Sequence, residues 1–406
     1  MLIMLHDEKR KSKKMKSTAY IFVIVFCSFM LMACDTTKES SIEVIHFGMT
    51  STGDSVSLFR LINPGGSVLE VIDYGARVVR IIVPDRNGDL EDVVPGYEDI
   101  SDFESGSQRF FGALIGRYAN RIAGGKFKID NVEYQLTCNN TPNGHPCHLH
   151  GGEIGFDRVM WDAKPFQRAD TVGVQFTRLS PDGEEGYPGN LNCDVTYIWT
   201  PDNTWRIEYR ATTDKPTIVN MSQHCYINLK GEAGGTILDN YLTIFADSIT
   251  PGNEGYTVTG EIVPVENTPY DYKTPRRIID QIIQPRDSMK ILGGSSVNWI
   301  MANVNWVLRN QSGQIAKAAF LYEPQSGRTI EVKTTEPGLL VYTGQGLSDK
   351  ITGKGGKPLS KYGGLILETI HYPDSPNNPH FPSCVLRPGE EYFSVTEYRF
   401  GVKNDL

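Results

Sequence analysis

The chain has little cysteine for its 406 residues, and it lacks an excess of positive charge. Seven cysteines, two of them within the first 34 residues, are too few for the disulfide-dense framework of small secreted proteins. Cys138 and Cys147 are one possible disulfide pair, but their spacing does not decide it. The formal net charge of −8 disfavours binding to nucleic acid, which needs clustered positive charge. An acidic chain is compatible with a neutral ligand such as a sugar.

Helical periodicity is also scarce, and there is no fixed-period repeat that would indicate a propeller or a solenoid. The best helical candidate is short, at residues 277–284 (RIIDQIIQ). Instead, 40 Gly and 23 Pro separate short runs of β-branched and aromatic residues, a pattern typical of strands joined by turns. Such runs lie at 55–62, 68–74, 78–83, 126–136, 172–177, 192–199, 205–212, 241–245, 306–308, 318–322, 329–334, 339–343 and 365–369. The sequence therefore predicts an all-β fold, one large antiparallel β-sandwich.

The first 33 residues predict an export signal. A basic stretch from Lys9 to Lys16 precedes an apolar run at 19–32 that is too short for a confident membrane span. The sequence LMAC at 31–34 resembles a bacterial lipobox, which implies cleavage before Cys34 and acylation of its thiol. The alternative is an ordinary signal peptide or an uncleaved anchor, and Met15 is a second candidate start. We expect an exported, membrane-anchored lipoprotein with a tether at 34–44 and a folded domain at 45–406.

Histidine suits proton transfer near neutral pH, and three of the eight histidines cluster at 145–150. Cys147, His148 and His150 offer metal ligands, but no second ligand pair at zinc-like spacing occurs elsewhere. The glycines at 151 and 152 predict instead a turn that brings one histidine close to a small ligand. We therefore expect structural roles for His145 and His148, and no metal.

His224 and Glu368 are the next candidates. An isolated histidine in a strand is usually a satisfied structural residue. Four hydrogen-bonding side chains near His224 are costly to bury without partners, and they predict a polar cleft with a sugar-sized ligand: Asn220, Ser222, Gln223 and Asn228. Glu368 ends an apolar run and is expected either to project into that cleft or to form a salt bridge.

A set of motifs resembles the aldose 1-epimerase (galactose mutarotase) family. They occur in the family's order and cover the chain from about residue 45 to 403. The motifs are GRYANRIAGGKF at 116–127, HLHGG at 148–152 with GFD at 155–157, HCYINL at 224–229, TEPG at 335–338 with YTG at 342–344, LET at 367–369 with PDSPN at 373–377, and LRPGE at 386–390.

The resemblance implies a galactose mutarotase-like supersandwich with the sugar in a groove on one concave face. It implies that His224 is the general acid and Glu368 the general base. These would open the ring of a free hexose such as glucose or galactose and reclose it as the other anomer, without a cofactor. The implied sugar-binding positions are Asn120, Arg121, His150, Tyr226 and Asn303.

Two positions depart from the family pattern. Asn303 stands where an aspartate that binds sugar hydroxyls is usual, which removes a charge-assisted hydrogen bond. Leu340 stands where relatives often carry glutamine. We expect weaker binding or a changed sugar preference.

Three alternatives remain open from the sequence. A non-catalytic sugar-binding protein would not need both His224 and Glu368. A sugar-phosphate epimerase would need more basic residues than Arg117 and Arg121. A polysaccharide lyase or hydrolase would need a second carboxylate or a suitably placed tyrosine base, and glycoside hydrolysis in particular expects a pair of carboxylates.

Overall fold

The computed structural model describes residues 39–282 and 304–403. The predicted export segment 1–33, Cys34 and Asn303 lie outside these ranges. Within them, no helix has the length and apolar character needed to span a membrane. The first strand starts at Ser41, inside the stretch predicted as a tether.

The N-terminal part forms a five-stranded sheet of consecutive antiparallel neighbours. Its strands are β1 (Ser41–Met49), β2 (Ser55–Ile62), β3 (Val68–Ile72), β4 (Arg77–Pro84) and β5 (Leu90–Asp92). The bounds of β2 coincide with the predicted run at 55–62. Short turns rich in Gly, Pro and Asn connect the strands, as the sequence pattern predicts.

A nine-stranded sheet forms the largest layer. In spatial order its strands are β11 (Asp162–Arg168), β12 (Thr171–Ser180), β13 (Leu191–Trp199), β14 (Thr204–Thr213), β27 (Tyr392–Val402), β23 (Arg328–Thr334), β22 (Ala316–Tyr322), β17 (Tyr241–Ile244) and β20 (Arg276–Arg277). Alternate side chains of β13 are buried, so this sheet packs one face on the core and exposes the other.

A second five-stranded sheet has the order β19 (Val263–Pro264), β18 (Ala246–Thr250), β21 (Asn305–Leu308), β24 (Gly338–Tyr342) and β25 (Ile366–Ile370). Four two-stranded pairs complete the strands: β6 (Ala113–Ile115) with β16 (Ser222–His224), β7 (Arg121–Ala123) with β10 (Cys147–Leu149), β8 (Lys126–Ile129) with β9 (Val132–Gln135), and β15 (Thr217–Ile218) with β26 (Val385–Leu386).

Helices are few and short among the described residues. The α-helices are α1 (Ile100–Ser105) and α2 (Ile279–Ile282), and the 3-10 turns are Pro142–Gly144, Phe156–Arg158, Glu184–Gly186, Lys354–Gly356 and Ser375–Asn377. The helix predicted at 277–284 is thus confirmed only for its middle. Arg277 belongs to β20, and residues 283 and 284 lie outside the described ranges.

The predicted hairpin at 126–136 is confirmed. Strands β8 and β9 pair directly, and Asp130 and Asn131 make the turn with φ of 50° and 67°. Both central residues of such a two-residue turn need positive φ, which Asp and Asn tolerate. Several strands were not predicted, and the three longest of them are β1, β27 and β11. Strand β11 contains Pro165, and a proline is tolerated there because β11 is an edge strand.

One large apolar cluster joins the three main sheets. It includes Phe59 and Leu61 from β2, Val195 and Tyr197 from β13, and Leu339 from β24. The sheets therefore share a core, and every strand-to-strand pairing in the described ranges is antiparallel. The predicted antiparallel β-sandwich is confirmed.

Candidate active site

A pocket of about 280 Å³ gathers six of the seven residues expected to act on a sugar. Its volume is near the lower end of the range for small-molecule sites. The six are Asn120, Arg121, His150, His224, Tyr226 and Glu368, and the pocket is completed by Gln108, Phe110, Leu149, Tyr256, Leu340 and Tyr342. Five separate strands and the segments beside them therefore converge on one cavity.

Strand pairing and one side-chain bond bring His224 next to Glu368. His224 ends β16. In the same strand, the hydroxyl of Ser222 donates a hydrogen bond to the backbone carbonyl of Thr369 in β25, at 3.0 Å. Three residues beyond His224, Ile227 exchanges backbone hydrogen bonds with Leu365 at 2.8 Å each. The segment that carries His224 thus runs beside β25, and Glu368 in the middle of β25 faces the same pocket.

His150 lies directly after β10, in a left-handed conformation with φ of 50°. The next residue must be glycine, because a Cβ on Gly151 would lie 1.8 Å from the carbonyl oxygen of Gly116. The predicted turn at residues 151 and 152 is therefore confirmed. The backbone N–H of Asn120 donates to Nδ1 of His150 at 3.1 Å, so the neutral ring carries its hydrogen on Nε2. The Nε2–H of His150 is therefore the hydrogen-bond donor that this residue offers to the pocket.

Arg121 begins β7 and faces the pocket. Its Nε donates to Oδ1 of Asn140 at 3.2 Å, and its guanidinium lies 5.7 Å from the ring centroid of Tyr256. Burial lowers the pKa of Arg121, while Cys147, Tyr256 and Glu368 oppose that shift. The side chain remains a cation, since an arginine pKa lies far above neutral pH. It is the one guanidinium among the described residues of the pocket lining.

The pocket also holds a His-His-carboxylate grouping. The ligand-type atoms of His150, His224 and Glu368 lie within 4.8 Å of one another. A metal would need a free lone pair on His150, but Nδ1 accepts the Asn120 N–H and Nε2 carries the hydrogen. The grouping therefore suits sugar oxygens better than a metal ion.

The metal ligands considered from the sequence have other partners. The ring of His148 donates from Nδ1 to the carbonyl of Thr137 at 2.7 Å and accepts from the Tyr187 hydroxyl at 2.6 Å. Burial lowers its pKa to about 4, so His148 is a neutral structural residue, as expected. Cys138 and Cys147 are both free thiols in the structure.

Burial dominates the electrostatics of the two central residues. It lowers the pKa of His224 to about 4, against the effect of nearby backbone groups. It raises the pKa of Glu368 to about 8, and only the charge of Arg121 opposes this. Oε1 of Glu368 is buried without a hydrogen-bond partner among the described residues. In the sugar-free pocket at pH 7, the pair therefore holds one proton, on Glu368.

The polar residues beside His224 do not form the cleft that the sequence predicts. Asn220 bonds to backbone groups of Ala119 and His371, Gln223 donates to the Tyr197 hydroxyl, and Asn228 donates to carbonyls of Gly235 and Gly363. That prediction was wrong, because groups of the protein bind the amides of both Asn220 and Asn228 and the N–H of Gln223, although Oε1 of Gln223 has no partner among the described residues. Their bonds fix the strands from which the pocket is built.

The sequence assigned no site role to five pocket residues and named a sixth, Leu340, only as a departure from the family pattern. Phe110 packs on both histidine rings, with centroids 4.8 Å from His150 and 5.5 Å from His224. The Tyr342 hydroxyl accepts the Gly346 N–H at 2.8 Å. Gln108, Leu149, Tyr256 and Leu340 complete the set. Leu149 lies within the motif at 148–152 and Tyr342 within the motif at 342–344, but Gln108, Phe110 and Tyr256 lie in none of the family motifs.

Comparison with known proteins decides the family. The aldose 1-epimerase family model matches residues 57–399, which is most of the chain. The chain belongs to the aldose 1-epimerase family. It is an isomerase of the type that interconverts the α and β anomers of aldoses.

Relatives and solved structures agree with this membership. The human galactose mutarotase is 38% identical over 358 residues, covering 87% of this chain and 96% of the relative. The aldose 1-epimerase of Escherichia coli K12 is 34% identical over 350 residues, covering 86% and 96%. The crystal structure of an aldose epimerase homologue from C. elegans has a TM-score of 0.74 at 25% identity, covering 90% of this chain and all of that one.

Proposed function

We propose that His224 and Glu368 are the acid–base pair of this epimerase and that its substrate is a free aldohexose. The observation that carries the proposal is their convergence. A histidine and an unpartnered carboxyl from two different strands face one monosaccharide-sized pocket, with ligand-type atoms within 4.8 Å. Mutarotation needs this arrangement, because a proton leaves the anomeric hydroxyl while the ring oxygen gains one.

One proton shared by His224 and Glu368 is enough for both halves of the reaction. To open the ring, the Glu368 carboxylate takes the proton of the anomeric hydroxyl and the His224 imidazolium protonates the ring oxygen. The C–O bond to the ring oxygen breaks, and its electron pair stays on that oxygen. This leaves an aldehyde, a protonated Glu368 and a neutral His224, which is the state that burial favours in the sugar-free pocket.

Ring closure is the reverse transfer. After rotation about the bond next to the carbonyl carbon, the hydroxyl attacks the other face of the aldehyde. His224 takes its proton, and Glu368 protonates the carbonyl oxygen to give the other anomer. One proton shuttles within the pair, so the cycle needs no net proton from solvent. Each positioned proton-transfer group contributes about 10²- to 10⁴-fold.

The remaining residues orient the sugar. Nε2–H of His150 and the guanidinium of Arg121 donate to sugar oxygens, and Asn120 holds His150 through its backbone N–H. Tyr226 lies 5.5 Å from the ring of His224, centroid to centroid, and limits where the pyranose can sit. Such positioning supplies part of the rate by fixing reacting groups in line. Asn303 is expected to bind the sugar too, and that stays a prediction.

The lining supports a neutral sugar over the alternatives. Glu368 is the one carboxylate among its described residues, whereas glycoside hydrolysis uses two. Arg117 is not available to a phosphate, because it is buried and donates to Ser180, Pro181 and Pro188. Because relatives are named galactose mutarotases, we propose galactose and glucose as substrates.

Polarimetry tests the proposal directly. The optical rotation of freshly dissolved α-galactose should reach equilibrium faster with the protein than without it. His224→Ala and Glu368→Gln should each lower kcat/KM by about 10²- to 10⁴-fold, with unchanged circular dichroism. Matched controls are His46→Gln and Glu98→Gln, at exposed residues outside the pocket. Full activity in either pocket variant would show that the assigned pair is wrong. If the wild-type protein does not change the rate at which the optical rotation approaches equilibrium, a non-catalytic sugar-binding protein is favoured.

We also propose that the protein is exported and anchored through an acylated Cys34. The support is the basic stretch, the apolar run and the LMAC sequence at 31–34. Metabolic labelling with palmitate should tag the wild type and not Cys34→Ser. A wild-type protein that stays unlabelled and free of the membrane fraction would exclude the anchor.

A further inference from the structure

Arg121 lies on a strand that pairs with only one strand of the described residues. Strand β7 pairs with β10, and the residues that flank β7, Asn120 and Gly124, hydrogen-bond toward the β10 segment. Alternate residues of an antiparallel strand turn their backbone groups to opposite sides. The N–H and C=O groups of Arg121 and Ala123 therefore point away from β10. Buried backbone groups need hydrogen-bond partners, so this outer edge of β7 must be satisfied by something other than a strand.

Asp374 supplies the partners on that edge. Its backbone N–H donates to the carbonyl of Arg121 at 3.0 Å, and its Oδ1 accepts the N–H of Ala123 at 3.1 Å. The N–H of Arg121 itself donates to Oδ1 of Asn120 at 2.8 Å. One residue thus provides both the donor and the acceptor that a further strand would provide, next to the residue that carries the guanidinium of the pocket.

Asp374 is itself held firmly by its loop. It is 5% exposed and has a φ of 56°, a left-handed conformation that Asp and Asn adopt more readily than most residues with a side chain. Asn377 donates to it twice, from Nδ2 to Oδ1 at 2.7 Å and from its backbone N–H to the backbone carbonyl at 3.0 Å. Burial raises the pKa of Asp374 to about 6, and the bonds from Asn377 and Ala123 oppose that shift. At pH 7 the side chain is therefore a carboxylate and accepts hydrogen bonds only.

The loop that contains Asp374 continues the strand that carries Glu368. The chain passes from β25 through Tyr372 into this loop. The hydroxyl of Tyr118 donates to the carbonyl of Tyr372 at 2.9 Å and accepts the N–H of Ser375 at 3.1 Å. Tyr118 belongs to the segment that leads into β7. The loop is therefore joined to the Arg121 segment at two places, through Asp374 and through Tyr118.

We propose that Asp374 is a positioning residue for the epimerase reaction: it ties the strand that carries Arg121 to the segment that carries Glu368, so that the guanidinium and the base keep a fixed spacing across the sugar. The inference rests on the proposed roles of Arg121 and Glu368. Groups that hold a substrate contribute to the rate only when their geometry is tight. Asn140 holds the side chain of Arg121, whereas Asp374 holds the backbone from which that side chain projects.

Asp374→Gly tests this, because glycine adopts the same positive φ but lacks the acceptor. In the sugar-free protein, hydrogen–deuterium exchange measured by mass spectrometry should be faster in the peptide that contains β7. The dissociation constant of galactose, measured by calorimetry, and KM should both rise by about two- to tenfold, the range expected for one lost hydrogen bond. The change in kcat should be smaller, because the acid–base pair is untouched.

Two variants of the same loop serve as matched controls. Asp374→Asn keeps the Oδ1 acceptor and tolerates the same φ, so it should keep the wild-type exchange, dissociation constant and KM. Ser375→Ala removes the hydroxyl that donates to the carbonyl of Tyr372 within the loop, but it leaves every bond to β7 in place. It should lower stability without raising KM. In an Arg121→Ala background, Asp374→Gly should have no further effect on galactose binding.

An unchanged dissociation constant in folded Asp374→Gly would overturn the inference. An equal rise in Ser375→Ala would do so too, and so would an undiminished effect of Asp374→Gly in the Arg121→Ala background. Asp374→Ser, whose hydroxyl is too short to reach Ala123, replaces Asp374→Gly should the latter not fold. Calorimetry needs no turnover, so these results are independent of the proposed acid–base pair, which fails if Glu368→Gln stays active.

Discussion

Two histidine–glutamate pairs among the described residues differ in whether the two side chains touch. In one pair, Nδ1 of His371 contacts Oε2 of Glu336 at 2.6 Å, and the Tyr392 hydroxyl donates to Oε1 of Glu336 at 3.2 Å. In the other, His224 and Glu368 face a pocket, and Oε1 of Glu368 has no partner among the described residues. Glu368 and His371 are only three residues apart.

The contact reverses the direction of the pKa shifts. Burial acts to raise the pKa of Glu336, but the charge and hydrogen bonds of His371 and its neighbours lower it overall. Burial acts to lower the pKa of His371, but Glu336 raises it. For His224 and Glu368 nothing outweighs burial, and the shifts run the other way. Direct contact shifts the pKa values of Glu336 and His371 toward their charged forms, whereas burial shifts those of His224 and Glu368 toward their neutral forms.

The largest expected difference is in stability. Glu336→Gln should lower the free energy of unfolding by about 3 kcal/mol, the lower end of the cost of breaking a buried ion pair. Glu368→Gln should not destabilise, because its carboxyl has no partner to lose. Urea unfolding at pH 7 measures both. Equal losses of unfolding free energy in the two variants would mean that the direct contact does not distinguish the two pairs.

The pH dependence of catalysis sharpens the comparison next. The pair of His224 and Glu368 is active while it holds one proton, so kcat/KM should follow a bell with limbs near pH 4 and pH 8. Outside the limbs the rate should fall about tenfold per pH unit. Polarimetry corrected for the uncatalysed rate gives the profile. A flat profile from pH 4 to pH 10 would rule out this pair as the titrating unit.

A smaller effect is expected in the pH dependence of stability. The pKa of Glu368 is about 8 in the native protein and near 4.5 when unfolded. The native state therefore binds the proton more tightly, and stability falls as the pH rises through that window. The glutamine side chain does not titrate in this window, so the variant does not lose stability in this way. The stability of Glu368→Gln relative to wild type should increase by more than about 1 kcal/mol from pH 5 to pH 9, as measured by urea unfolding. A constant difference would show that Glu368 is not an unpaired buried carboxyl.

The smallest expected effect concerns the cation beside Glu368. Asn140→Ala removes the acceptor for Nε of Arg121, so the guanidinium is held less firmly at the sugar. One such hydrogen bond contributes about 0.5–1.5 kcal/mol, which corresponds to a rise in KM of about two- to tenfold with kcat nearly unchanged. Initial-rate polarimetry over a range of galactose concentrations measures it. A fall in kcat alone would place Asn140 in the chemical step instead.

Much of the fold could be predicted from local sequence. Runs of β-branched and aromatic residues between turn residues locate β2 and most of the longer later strands, and Asp130-Asn131 marks the tight hairpin because few residues tolerate positive φ. The motifs also identify the family and so nominate His224 and Glu368. Strands β11 and β27 were not predicted. The first was missed because it contains a proline, which is unusual within a strand.

The amino-acid sequence by itself determined the strand pattern, the motifs and which side chains can transfer protons. Only the tertiary structure decided which of them stand unpaired. Nothing local shows that the carboxyl of Glu336 has a histidine partner, that Asn220 and Gln223 bind distant parts of the chain, or that Phe110 lines the pocket. The physical reason is that hydrogen-bond partners come from strands more than a hundred residues apart in the chain, and partners, more than residue type, set the charge state of a buried group.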